Sequence, residues 1–493
     1  MNSTHQFVVV GGGISGLYTA CKLKMSYKSA QVIVFENSAR LGGRIRSIYN
    51  KNHTFTHDAG AWRVSSNHNL MIDLAKTLNI HLVPTHSQPK QLSKNYDKQF
   101  IPQHNLSIKQ SLLNSQTPQE VNNFELSTGY VGSLNGGRRS YKVHTNTHTS
   151  HTYYRPQHGM SEYINKLKQK CLGCGVIIEC NCRVSKVQQT PYQQHKNYTL
   201  KVSVVKRDIM NSNKFEEVQL VASHVIFAVP PSSLSKIKVN FTIQIKPVLE
   251  SITHFPLLRV YVKMKPGQNI NKPFHIVTKD QLGHLISVSQ DRFMVVYCGG
   301  WLCGWHQKLY YQNKSAYMKK IKDLYDQNCL KHPDLPVSEF VDFREPICLC
   351  HWESACHMWQ PEALYNGIHQ AMHNACEIHE RDLRNVYVCG ESCSSEQGWS
   401  EGAIETSNFV VGQIKKKMIS NYNFKTQSML IDTLIFNKRI LDVSKWKFEH
   451  PGSIIAINNH LQDKDVTKLM LEIHNHTSQV WPYILALTIA YLP

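Results

Sequence analysis

The sequence predicts an α/β protein of more than one domain, and three observations carry that reading. The apolar, β-branched run Gln6-Phe7-Val8-Val9-Val10 leads without a break into Gly11-x-Gly13-x-x-Gly16. Runs of the same character return late in the chain, at Val225-Ile226-Phe227-Ala228-Val229 and at Val386-Tyr387-Val388, and read as further strands. At 493 residues the chain is also too long for one ordinary core.

Each part of the first unit has a physical job. Gln6–Val10 reads as a buried parallel strand, and Leu17 to Leu23 has the spacing of a helix. The three glycines supply a tight turn, close backbone approach to a diphosphate, and close packing of helix on strand. The helix N-terminus, with Gly13, Ile14 and Ser15 at its opening, then faces the phosphates. A second strand, Gln31 to Phe35, ends in Glu36, twenty residues past Gly16, where a carboxylate accepts from an adenosine ribose. Strand, loop, helix, strand and acid in that order specify a dinucleotide site far better than the glycines alone.

Arg40-Leu41-Gly42-Gly43-Arg44 follows the acid directly, and two guanidinium groups beside two phosphates suit bidentate contacts. From here the chain resembles the flavin amine oxidase superfamily, which includes monoamine, polyamine and L-amino-acid oxidases. The likeness runs from residue 6 to about 417. It takes in Asp58-Ala59-Gly60-Ala61-Trp62-Arg63, His158-Gly159-Met160, Arg183-Val184, the strand ending Val229-Pro230-Pro231, Cys389-Gly390-Glu391 and Gln397-Gly398-Trp399-Ser400-Glu401-Gly402-Ala403. The resemblance implies FAD as cofactor. Arg40, Gly43 and Arg44 would lie at its diphosphate or flavin edge, with Gly60, Ala61, Trp62, Arg63 and Val184 beside it. Glu391 would meet the ribityl chain, and the Gly402 and Ala403 amides the flavin pyrimidine. It also implies an FAD-binding Rossmann-like domain (1–85, 151–235, 381–417) interleaved with an α+β substrate domain (86–150, 236–380).

The implied reaction is oxidation of a C–N bond by hydride transfer from the carbon beside an uncharged amine. Trp399 is the expected aromatic wall, with Trp352 and Trp359 as candidates for the opposite one. Arg63 is the discriminating residue, since a guanidinium holds a substrate carboxylate bidentately and selects L-amino acids over simple amines. Arg259 stands where the family usually has a lysine, and arginine is a poor proton carrier because it stays charged. Two rival readings remain: a catalytically degenerate flavin fold with a basic binding surface, and a desaturase or porphyrinogen-oxidase-like enzyme acting on C–C bonds.

Beyond a polar linker (418–432) the last segment (433–493) has a different character. Leu434-Ile435-Phe436 and Arg439 to Val443 read as two short strands around an Asn437-Lys438 turn. His450 precedes Pro451-Gly452, and His474 follows twenty-four positions later at the end of a helix opened by Asp465-Val466-Thr467. This resembles cytochrome b5 and implies a small α+β module in which His450 and His474 bind haem b iron from both sides, an arrangement suited to electron transfer. Electrons from the flavin would pass to dioxygen or to this tethered haem.

Composition limits the rest. Lys+Arg 55 against Asp+Glu 35 gives +20. Residues 427–493 carry six of each sign, so the excess belongs to the larger N-terminal part. No basic run alternates with aromatics, so the charge reads as a solvated surface rather than a nucleic-acid site. The start shows no secretory signal and no stretch is long enough to span a bilayer. A soluble intracellular protein with reduced cysteines is therefore expected. Cys171-x-x-Cys174 with Cys180-x-Cys182 reads as a Cys-rich turn and strand, because the last spacing is unusual for a structural zinc site.

Overall fold

The computed structural model describes residues 6–85, 103, 106–137, 152–191, 198–207, 215–239, 249–344, 346, 348–361 and 385–420, and the strands 433–436, 439–442 and 488–491. Its centre is a five-stranded parallel sheet in the order Val386–Val388, His224–Phe227, Gln6–Val10, Gln31–Phe35, Ile177–Glu179. Gln6–Val10 lies in the middle, with Val8 between Val225 and Ile33. Covered on both faces, it needs no polar alternation, and Phe7, Val8 and Val9 are fully buried. The helix Ile14–Ser26 packs on the helix Ser161–Cys174, whose Cys171 thiol reaches the Leu17 carbonyl.

The second layer is a mixed-length antiparallel sheet built on the long strand Ile252–Met264. Arg292–Gly299 pairs along one edge of that strand, and Val341–Asp342 and Cys348–Trp359 along the other. Its outer face is closed by the helices Trp301–Gln312 and Lys314–Cys329, with Leu258, Val260, Val262, Phe293, Tyr317 and Ile321 in the buried cluster between. Val64–Ser65, Tyr153–Pro156 and Leu82–Thr85 form a small antiparallel sheet in that order.

A second compact unit runs from Asn408 to Pro493. Its strands Thr433–Phe436 and Arg439–Asp442 pair antiparallel, with Phe436 opposite Arg439, as the two strands read from sequence; Asn437 and Lys438 lie outside the described residues. Thr488–Tyr491 adds a third antiparallel strand. His450 and His474 lie outside the described residues. Among the described residues no helix is long and apolar enough to cross a membrane.

One cysteine expectation is corrected. Cys348 and Cys350 are joined by a disulfide, whereas reduced thiols were expected. Positions two apart on a strand point to the same face, and their Cα atoms are 6.0 Å apart, within disulfide reach. Cys171, Cys174, Cys180 and Cys182 are free, and they fall on and after a helix rather than around one point.

Candidate functional site

The two layers enclose a cavity of about 700 Å³, within the usual range for small-molecule and cofactor sites. Gly11, Gly13, Ile14, Ser15, Glu36, Arg40, Gly43 and Arg44 line one side of it. Gly60, Ala61, Trp62, Arg63, Val184, Arg259, Trp352, Glu391, Trp399 and Ala403 line the rest. Three expected residues do not line it. Gly16 is a packing position, since a Cβ there would run into the Gly11 carbonyl. Gly402 is hemmed in by the Ser394 side chain and the Glu396 carbonyl. Trp359, expected as a wall, is 1% exposed and belongs to the core, its indole N–H donating to the Ser394 carbonyl at 3.1 Å.

The nucleotide end shows how a dinucleotide would be received. Gly11, at φ +107°, makes the turn out of the strand, and its amide donates to the Phe35 carbonyl at 2.8 Å. The helix that begins at Ile14 has no side-chain cap, so its first amides and the positive end of its dipole are left to the cavity. A Cβ on Gly13 or on Gly390 would meet nothing within 4 Å, which marks open space beside the backbone. Glu36 takes the Gly12 amide at 2.7 Å on one oxygen and the Ser38 amide and hydroxyl at 2.8 Å on the other, keeping lone pairs for a ribose. These features fit a dinucleotide.

The two arginines expected at the diphosphate or flavin edge line the cavity and also bond to protein groups. Arg40 donates to the carbonyls of Leu41, Gly43 and Ile45 and so pins the glycine loop. Arg44 bonds Glu391 at 2.6 Å and the Ala355 carbonyl at 3.1 Å. Glu391 is itself a junction. It also accepts from the His357 ring at 2.9 Å, the His357 amide at 3.0 Å and the Gly398 amide at 2.7 Å. Burial alone would raise its pKa, but Arg44 and His357 outweigh burial and hold it well below the usual carboxylate range. The bond to Gly398, which sits at φ +84°, fixes the turn that presents Trp399. Nothing local in the sequence announces His357, which reaches the site only through its strand.

The opposite end is aromatic around one cation. Arg63 is 6% exposed, and its guanidinium lies 4.2 Å from the Tyr153 ring, 4.9 Å from Trp62 and 5.7 Å from Trp399. Tyr153 and Trp399 are roughly parallel, 6.3 Å apart, and His68 meets Trp399 edge-on at 4.7 Å. Arg63 Nη1 is buried with no hydrogen-bond partner, and among the described residues no carboxylate pairs with Arg63. Trp352 donates to the Ala59 carbonyl at 2.6 Å and lines the cavity. Arg259 is a clamp. It donates to the carbonyls of Asp58 and Gly60 and stacks on Tyr297 at 4.6 Å, so its hydrogen bonds hold the segment that carries Arg63. Asp58 anchors that segment from below, accepting from the Ser47 hydroxyl at 2.5 Å and the Met160 amide at 3.0 Å. Burial pushes its carboxyl up to about 7 in spite of those two bonds.

Comparison with known proteins agrees with this geometry. Residues 9–78 match the model of the NAD(P)-binding Rossmann-like domain. An L-amino-acid oxidase of Siganus canaliculatus is 37% identical over 84 residues, which is 17% of this chain and 16% of that protein. An uncharacterized protein of Acanthamoeba polyphaga mimivirus is 33% identical over 78 residues, 16% of this chain and 15% of that protein. The matched stretch thus spans about one-sixth of each curated relative. Among solved structures, a triple mutant of putrescine oxidase made for redesign of cofactor binding aligns over 83% of this chain and 99% of its own, with TM-score 0.57 and 12% identity. A double mutant of the same enzyme gives TM-score 0.54 at 13% identity with the same coverage. At that identity the likeness is one of fold: a mixed α/β, Rossmann-like architecture.

Proposed function

We propose that this chain is an FAD-dependent oxidoreductase that oxidises the C–N bond of an L-amino acid, with related amines as the wider substrate class. Arg63 is the observation that carries the reading. A buried guanidinium with a free Nη1 is costly to leave unpaired, and a substrate carboxylate would supply the missing anion in bidentate form. Tyr153, Trp62 and Trp399 exclude water from that pair and wall a slot for the rest of the substrate.

The cofactor would be held by the amides of Gly13, Ile14 and Ser15, by Glu36, and by the lining positions Gly43, Val184, Glu391 and Ala403. When bound, the flavin supplies the hydride acceptor, the part of the chemistry that side chains cannot perform. Arg259 and Asp58 act as positioning residues, because they hold the backbone of Asp58 to Arg63 rather than face a reacting atom. The cofactor is proposed to be held noncovalently, with Cys356 in the cavity wall. Dioxygen is the proposed electron acceptor, with the b5-like haem of His450 and His474 as the other candidate on sequence grounds.

Steady-state oxidation by Arg63→Ala tests this. Removing one partner of a buried charge pair costs about 2–5 kcal/mol, so kcat/KM for L-amino acids falls roughly 30- to several-thousand-fold. The matching decarboxylated amines lose little or gain. Equal losses for both substrate classes, or none for either, would overturn the assignment.

A further inference from the structure

In the buried cluster around Trp62, three potential ligand atoms converge from two separate parts of the chain, and one of the three residues, Cys350, also lines the cavity. His57, on the strand Phe55–Asp58, and Cys348 and Cys350, on the strand Cys348–Trp359, place their ring nitrogen and two sulfurs within 4.8 Å of one another. The histidine is 1% exposed, and its Nε2 is buried with no partner.

The neighbouring threonine settles which nitrogen holds the proton. The Thr56 hydroxyl has one hydrogen, and it goes to the Ile48 carbonyl at 2.8 Å. The 3.1 Å contact between Thr56 Oγ1 and His57 Nδ1 therefore has Nδ1–H as donor. Nε2 is left as a bare, buried lone pair free to take a metal, and the Tyr261 ring, 4.3 Å away, keeps the imidazole in place. A metal-ligating histidine is usually fixed in this manner, its second nitrogen donating to a neighbouring oxygen.

We propose that His57, Cys348 and Cys350 form a redox-gated site for a thiophilic divalent cation of the zinc class. In the structure the two sulfurs are bonded to each other and the site is closed. A dithiol reductant transfers two electrons to that disulfide and is itself oxidised to a disulfide, leaving two thiols. Binding of Zn²⁺ then releases both protons and gives two thiolate ligands and one imidazole, a soft set with room for a fourth ligand. The sulfurs would open to about 3.8 Å apart across a tetrahedral ion with Zn–S near 2.3 Å.

The two states tie the protein together differently. The disulfide links two positions of one strand, whereas the metal would join that strand to the one leading into Gly60 and Arg63. The site depends on no flavin.

The test uses the full chain, reduced with a dithiol, freed of reductant anaerobically, and titrated with Zn²⁺ against a chromophoric chelator. Reduced wild type should take up one more Zn²⁺ per chain than the oxidised protein or reduced Cys350→Ser. Co²⁺ in place of Zn²⁺ should develop a thiolate-to-metal absorption band that His57→Ala weakens or loses. Thr56→Val, near-isosteric and leaving all three ligands in place, should keep the stoichiometry and weaken affinity about 10- to 100-fold. Equal Zn²⁺ uptake by reduced wild type and reduced Cys350→Ser, or by oxidised and reduced wild type, would overturn the proposal. So would unchanged affinity in Thr56→Val.

Discussion

The nucleotide wall of the cavity comes from one stretch of chain, Val10 to Arg44, with short additions from elsewhere, while the opposite wall is assembled from Arg63, Tyr130, Arg259, Trp352 and Trp399. In the first region the spacing of glycines is itself the geometry, because turn, helix start and second strand are consecutive. In the second, side chains hundreds of positions apart meet only after two sheets have packed. Local pattern thus builds a receptacle for a cofactor shared by many proteins, and long-range packing decides what is placed beside it.

The sharpest way to break the contrast lies inside the glycine loop. Gly16→Val should give insoluble or colourless protein, because any side chain there collides with the Gly11 backbone and has no flexible neighbour to displace. Gly13→Val faces open space, so it should fold with little change in Tm yet fail to retain FAD, read as flavin absorbance after desalting. Equal folding of both variants would mean that the two glycines are not separated into packing and binding positions.

Next in size is the junction that ties the walls together. Arg44→Leu leaves Glu391 with the His357 ring as its remaining side-chain partner, and breaking a buried pair costs about 3–5 kcal/mol. Arg44 is partly exposed, so the lower end of that range is expected, measured by urea unfolding near pH 7. Because Glu391 also orients the Gly398 turn, the same variant should weaken flavin retention.

Asp58 gives a pH signature of opposite sign to an ordinary paired carboxylate. Its pKa is raised from 3.8 to about 7 in the folded state, so between those values the folded protein binds the extra proton. Stability from this group is present below about pH 4 and is lost as pH rises towards 7, by a few kcal/mol at most. Asp58→Asn should flatten that slope in unfolding free energy measured from pH 4 to 7. An unchanged slope would place the titration elsewhere.

The smallest effect separates two tryptophans, Trp359 at the end of the strand Cys348–Trp359 and Trp399 before the helix Ser400–Ser420. Trp359→Phe should lose about 1 kcal/mol through the missing bond to the Ser394 carbonyl and leave substrate kinetics alone. Trp399→Phe should do the reverse, keeping stability and changing KM, since its ring faces the cavity beside Arg63.

These pairs also show what could be read from the chain beforehand. Gly11 to Glu36 was legible because each residue acts through near neighbours, and the paired strands Thr433–Phe436 and Arg439–Asp442 were legible for the same reason. Trp359 was misplaced although it stands seven positions from Trp352 on the strand Cys348–Trp359, an odd separation that plain alternation turns to the opposite face. Arg40 and Arg44 were expected at the diphosphate or flavin edge and both line the cavity, but the carbonyls and carboxylate that also engage them lie in no local pattern. The convergence of His57 with Cys348 and Cys350 was beyond reach, since nearly three hundred positions lie between them and neither segment has a metal-ligand spacing.

A flavin in this cavity, with Arg63 anchoring a substrate carboxylate, can be checked by loading the purified chain with FAD and mixing it, without oxygen, with a panel of L-amino acids. The oxidised-flavin absorbance should bleach with at least one of them in wild type, and far more slowly in Arg63→Lys. Flavin that stays bound and coloured through the whole panel, or that bleaches equally fast in both proteins, would contradict it.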